Sequence, residues 1–241
     1  MKILVIGTGM YVTGRNTEGY GTIFPSIIEF QRANKEKNLE VIFVGTNVRN
    51  TDLSKRKVLK ALKVSGIKIK TTFYPNKKNT KENYKSILEK EKNISCAIVV
   101  VPDNLHFEVV NECLNYNLHT LVAKPFTTKL VEAKRLIEKK NKKNIIGLVE
   151  FHKRFDKHNL LLKNTYESQK LGKPLYFNVE YSQKKIIPEK IFRKWSEKTN
   201  ILQYLGIHYI DLVYFITKAR PVRVMAMGQK NWLKKVLKKP Q

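Results

Sequence analysis

The chain has 241 residues, 42% of them hydrophobic, enough to bury one large core or two modest ones, and no run approaches the roughly 20 apolar residues that span a bilayer. A net charge of +27 invites a nucleic-acid or anionic-surface partner, but the lysines are spread over every segment and no zinc-finger spacing, RNA-recognition signature or arginine-rich arm accompanies them. No secretory signal is visible, and Cys96 and Cys113 stand far apart without a CxxC or histidine spacing. A soluble cytoplasmic protein with free thiols, no metal site, no membrane segment and no specific nucleic-acid partner is expected.

The N-terminal stretch MKILVIGTGMYVTGRNTEGYG organises the rest. Lys2 to Ile6 has the continuous apolar pattern of a strand buried on both faces, and it leads into a loop with Gly7, Gly9, Gly14, Gly19 and Gly21. Thr22 then opens a helix over IFPSIIEFQRAN. Strand, glycine loop and helix make the phosphate-binding corner of a nucleotide fold, with Gly7, Gly9 and Gly14 as candidate backbone contacts. The spacing is looser than G-x-G-x-x-G, and a plain glycine-rich turn is the competing reading.

Strands and helices then alternate. Strands are predicted at Leu39 to Gly45, Ile67 to Phe73, Cys96 to Val101, Thr120 to Ala123 and Ile145 to Phe151. The intervening helices are TDLSKRKVLKALKVSG, capped by Thr51 or Asp52 and stopped by Gly66; an exposed NTKENYKSILEK; HFEVVNECLNYN; and KLVEAKRLIEKK, capped by Thr127 or Thr128. This pattern predicts an α/β fold, a doubly wound parallel sheet over residues 1–150, with ligands beyond the carboxyl ends of its strands. After the second strand come Gly45, Thr46, Asn47 and Arg49 in place of an acid, which suits a ribose 2′-phosphate and leans toward NADP; NAD held by other contacts stays open. Residues 151–241 are thinner: a helix capped by Asp156 and ending at Gly172, a strand at Pro174 to Gln183, a short helix PEKIFRKW, a helix LGIHYIDLVYFITKA, a strand at Pro221 to Lys230, and a basic tail. This second region is expected to be an incomplete α+β domain.

Ordered landmarks across the chain carry a resemblance. They are Gly7-x-Gly9; Val101-Pro102-Asp103-Asn104 with His106; Ala123-Lys124-Pro125; His152-Lys153-Arg154-Phe155-Asp156; Leu171-Gly172-Lys173-Pro174; and Gly206-Ile207-His208-Tyr209-Ile210-Asp211-Leu212. Together they resemble the Gfo/Idh/MocA oxidoreductases, the group of glucose-fructose oxidoreductase and inositol dehydrogenase. The resemblance implies a dinucleotide-binding domain, a C-terminal domain on an open antiparallel sheet, and NAD(P)-dependent oxidation or reduction of a sugar, cyclitol or related small molecule. It implies Lys124 and His208 as catalytic residues, with His208 as general acid/base, and Pro102, Asn104, His106 and Lys124 on the nicotinamide side of the cofactor site. Arg154, Tyr204 and Asp211 become substrate candidates, Asp211 either orienting the His208 ring or pairing locally.

Two departures qualify that expectation. The first is that Tyr204 stands where members of the family commonly carry an aspartate, one turn before His208, with Thr199-Asn200 where glycines are usual, so the substrate pocket is expected to be altered. The family's C-terminal domain also runs further, so the chain is expected to be a shortened dehydrogenase product that holds a dinucleotide and closes its substrate site poorly, with homo-oligomerisation through the exposed C-terminal sheet.

Overall fold

A computed structural model describes residues 1–184, 186–187 and 199–228. Two compact units divide the chain, Met1–Glu150 and Phe151–Gln241.

In the first unit, six strands form one parallel sheet: β1 (Lys2–Ile6), β2 (Glu40–Val44), β3 (Lys70–Tyr74), β4 (Cys96–Val99), β5 (His119–Ala123) and β6 (Gly147–Glu150), in spatial order β3-β2-β1-β4-β5-β6. Side chains alternate along each strand, so Leu4, Ile6, Ile42 and Val44 enter one core while Ile3, Val5, Val41 and Phe43 enter the other. Helices α2 (Ile23–Asn34) and α3 (Val48–Ser65) fill the second core with Phe24, Ile27, Ile28 and Val58. Ile87 of α4 (Tyr84–Lys90), Val109 and Val110 of α5 (His106–Asn115) and Leu136 of α6 (Leu130–Lys142) fill the first. The chain winds outward from β1 to β3, then returns to lay β4 on the other side of β1. The strand order therefore reverses between β1 and β4, where an α/β sheet opens a crevice at its carboxyl edge.

Several predicted boundaries move. A short helix, α1 (Met10–Thr13), lies inside the glycine loop. The cap of α3 is Asn47, whose side chain accepts from the Asn50 N–H at 2.9 Å; Thr51 is instead buried, its hydroxyl donating to Asn47 O. At α6 the cap position is Lys129 without a side-chain bond, and the Thr127 hydroxyl donates to Lys129 O. Pairing with β2 sets β3 at Lys70–Tyr74, three residues beyond the start that alternation suggests. Helix α4 is not wholly exposed, since Ile87 and Leu88 are core residues.

The second unit contains α7 (Lys157–Glu167), capped by Asp156 and ending before Gly172, and α8 (Ile207–Thr217), entered through a π-helical turn at Leu202–Gly206. Neither predicted strand is formed among the described residues: 174–183 and 221–228 carry no ladder, and Leu175, Tyr176, Val222 and Met225 are exposed. Alternating side chains specify which face of a strand gets buried, but a strand exists only when a partner takes up its N–H and C=O groups. The predicted helix PEKIFRKW and the basic tail lie outside the described residues, as do the last two residues of the second predicted strand.

Candidate active site

At the carboxyl end of β1, Gly7 turns the chain with φ +116°, and a Cβ there would sit 1.9 Å from Val100 O, so only glycine lets the loop cross the end of β4. Gly9 caps α1 in extended conformation, and a Cβ added to it meets nothing within 4 Å. Open space thus lies beside Gly9 at the start of α1, within which the Val12 and Thr13 N–H groups donate to Gly9 O at 3.2 and 3.0 Å. That space suits the approach of a dinucleotide pyrophosphate to the backbone. Gly14 instead ends α1 at φ +71°, with Gly19 O where a Cβ would be.

Beyond β2, Gly45 packs so closely on Thr8 and Thr51 that a Cβ would fall 2.7 Å and 2.6 Å from their hydroxyls. Thr46 and Arg49 are exposed, while the Asn47 side chain is occupied as the α3 cap. Thr8 is buried; its carbonyl accepts from Ser54 of α3 at 2.7 Å and its hydroxyl accepts from Arg15 Nη1 at 3.3 Å.

Across the crevice, Pro102 leads into a 3-10 turn at Asp103–Leu105 in which Asn104 is exposed. His106, 0% exposed, sets its Nδ1 2.6 Å from Pro125 O and its Nε2 2.9 Å from Val101 O. Burial pulls its pKa down; the Pro125 carbonyl, Asp103 and the Val101 carbonyl oppose that shift, and Lys124 adds to it. His106 is therefore a brace between the ends of β4 and β5, holding the Lys124–Pro125 turn, and it presents no ring face to a ligand. Lys124 follows β5 directly and is half-buried. Tyr11 of α1 donates to Glu150 Oε2 at 2.9 Å, linking the glycine loop to the end of β6.

In the second unit, His208 is buried on α8 at 3% exposure, its ring edge-to-face with His152 at 4.8 Å and with Phe151 at 6.0 Å. Asp211, one turn on, does not serve that ring: Arg154 grips it with two donors, Nε to Oδ2 at 2.7 Å and Nη2 to Oδ1. The carboxylate raises the Arg154 pKa, and the guanidinium lies over Phe151 and Phe215 at 5.3 and 5.2 Å. Tyr204 sits in the π-helical turn, half-buried. Among the described residues there is no group of three or more His, Cys, Asp or Glu arranged for a metal ion, and no helix long and apolar enough to cross a membrane.

A sequence profile described as "Oxidoreductase family, NAD-binding Rossmann fold" matches residues 1–151. The chain belongs to the Gfo/Idh/MocA oxidoreductase family. The C-terminal domain profile of the same family matches residues 160–236. An uncharacterised oxidoreductase of Schizosaccharomyces pombe is 34% identical over 127 residues, 50% of this chain and 33% of its own length. The scyllo-inositol 2-dehydrogenase (NADP(+)) of Bacillus subtilis is 29% identical over 143 residues, 56% of this chain and 39% of its own. Among solved structures, a probable dehydrogenase from Thermotoga maritima superposes with TM-score 0.60 at 19% identity, covering 91% of this chain and 56% of that one. The chain thus spans well under two thirds of each.

Within the Gfo/Idh/MocA pattern, the residues singled out from sequence fall at two places. Gly7, Gly9, Pro102, Asn104, His106 and Lys124 follow the strands that flank the first unit's crevice, with Thr46, Asn47 and Arg49 following β2. Arg154, Tyr204, His208 and Asp211 belong to the second unit. Sequence reading passed over Arg15 and Thr8, which meet at the glycine corner, and took His152, which stands against His208, as a landmark without a site role.

Proposed function

We propose that this Gfo/Idh/MocA chain serves an NAD(P)-dependent oxidoreductase that interconverts a hydroxyl and a carbonyl on a sugar, cyclitol or related small molecule. The observation that carries the reading is the glycine corner: Gly7 and Gly9 at the strand-order reversal, with open space before the first helix. A bound nicotinamide dinucleotide supplies the hydride acceptor or donor. Gly9 and the start of α1 would hold its phosphates, and the His106 brace fixes the Lys124–Pro125 turn at the end of β5. In the oxidative direction the carbon loses its hydride while the hydroxyl loses a proton. Each unit offers one group for this chemistry: Lys124 a hydrogen-bond donor for an oxygen, and His208 an imidazole able to take a proton. His152, packed against His208, fixes the ring. The Arg154–Asp211 pair neutralises itself and secures α8 to the turn before α7.

Gly45, Thr46 and Arg49 after β2 support NADP over NAD, as does the NADP(+) in the name of the B. subtilis relative. Exposed apolar side chains at Leu175, Tyr176, Val222 and Met225 support association with further copies of the chain, to be read by light scattering of the eluting protein. The free thiols Cys96 and Cys113 support a reducing, cytoplasmic setting. Activity is tested by following reduced nicotinamide during incubation with NADP+ or NAD+ and a panel of inositols and hexoses. Turnover lost in Lys124→Ala and in His208→Ala, with dinucleotide binding retained in His208→Ala, is expected. Dinucleotide binding without turnover on any such substrate would instead identify a binding protein.

A further inference from the structure

The helix that begins at the glycine corner does not run on. It stops at Gly14, the chain makes an excursion over residues 15–21, and helix resumes at α2. The excursion is a built element. Gly14 and Gly21 turn it at φ +71° and +77°, each against backbone atoms that leave no room for a Cβ. The Thr17 N–H and hydroxyl both donate to Gly14 O, at 3.0 and 2.9 Å, and Thr22 N donates to Tyr11 O at 2.7 Å. From α3, Lys57 Nζ gathers three successive carbonyls, Thr17, Glu18 and Gly19, at 2.6, 3.2 and 3.1 Å.

What this clamped excursion presents is a cation. Arg15 folds back so that Nη1 donates to the Thr8 hydroxyl, while its Nε is buried with no acceptor. Among the described residues no carboxylate pairs with it. Burial lowers the guanidinium pKa, so the charge is held at a desolvation cost that an anion would offset. The Thr8 hydroxyl in turn lies against Gly45 at the end of β2. A guanidinium fork with an unused donor, one hydroxyl away from the end of the second strand, stands where a dinucleotide fold reads the ribose 2′ position.

We propose that Arg15 binds the 2′-phosphate of the adenosine ribose, so that the excursion, more than the residues following β2, makes this chain prefer NADP. The inference rests on the dinucleotide reading of the corner. The pyrophosphate is common to NAD and NADP and belongs to Gly9 and the start of α1; a cation reading the 2′-phosphate acts on NADP alone.

Calorimetric titration of the full chain with NADP+, NAD+, 2′,5′-ADP and 5′-AMP separates these cases. Arg15→Gln is expected to weaken NADP+ and 2′,5′-ADP by about 10- to 100-fold, the loss of a charge-assisted bond to phosphate, with NAD+ and 5′-AMP unchanged. Arg15→Lys keeps part of the preference, and Arg49→Gln changes it less than Arg15→Gln. Equal weakening of NAD+ and NADP+, unchanged NADP+ binding, or discrimination that follows Arg49 overturns the assignment. Should Arg15→Gln fail to fold, the unmodified chain still decides: equal affinity for 2′,5′-ADP and 5′-AMP refutes a 2′-phosphate site. Folded protein that binds NAD+ and not NADP+ removes the Arg15 role and leaves the corner standing. Folded protein that binds neither removes both.

Discussion

His106→Leu isolates the brace between the two sides of the crevice. The native ring is fully buried between Pro125 O and Val101 O, and a neutral imidazole donates to only one of them. Leucine fills similar space but donates nothing, leaving that carbonyl buried without a partner at a cost of about 1–3 kcal/mol. For a chain of this size each kcal/mol lowers the melting temperature by about 2–4 °C, so a fall of about 2–12 °C is expected by circular dichroism. The variant also removes a pH dependence. Burial holds the folded pKa of His106 below the ordinary 6.5, so the unfolded chain binds this proton more readily. Stability therefore falls as the pH drops from about 6.5 toward the folded value and levels below it. The difference in unfolding free energy between native protein and His106→Leu should shrink with acidification across that window. An unchanged melting point at neutral pH, or a difference that grows on acidification, would refute the reasoning.

Asp211→Asn leaves the Arg154 guanidinium without its carboxylate, and because Asp211 is almost buried the loss should be about 1–3 kcal/mol in urea denaturation; an unmoved midpoint contradicts the pairing. Gly7→Ala puts a Cβ into Val100 O on a backbone at φ +116°, so a loss of about 3 kcal/mol or more is expected, and a variant melting like the native chain would mean the corner is built differently.

The parallel sheet was legible because its inner strands are short apolar runs, β1 and β2 buried on both faces after their first residue and β4 at least half-buried throughout. Helix starts were less so. Thr51 resembles a cap as well as Asn47 does, and only the tertiary placement of Thr51 in the core decides between them. The glycine loop concealed both α1 and the excursion, since five glycines in one stretch suggest a loop whatever lies between them. His106 and Lys124 were visible as landmarks, but that one braces the other is a contact over 19 residues of sequence, made between the imidazole and a carbonyl that no motif encodes. Asp211 shows the same limit: helical spacing places it near His208, and a guanidinium 57 residues away claims it. In the second unit, alternation at Pro174 to Gln183 described a face to bury without supplying a partner strand.

Gly9→Val tests the central claim most directly. The backbone there is one that any residue adopts and a Cβ meets nothing within 4 Å, so without ligand the variant should melt within about 2 °C of the native chain. A ligand that binds only folded protein raises the melting point by mass action, and saturating NADP+ or NAD+ should do so for the native chain. In Gly9→Val the side chain would enter the space proposed for the pyrophosphate, and that rise should vanish. Native protein that shows no shift with either dinucleotide, or a Gly9→Val variant that shifts as far as the native chain, would contradict the account.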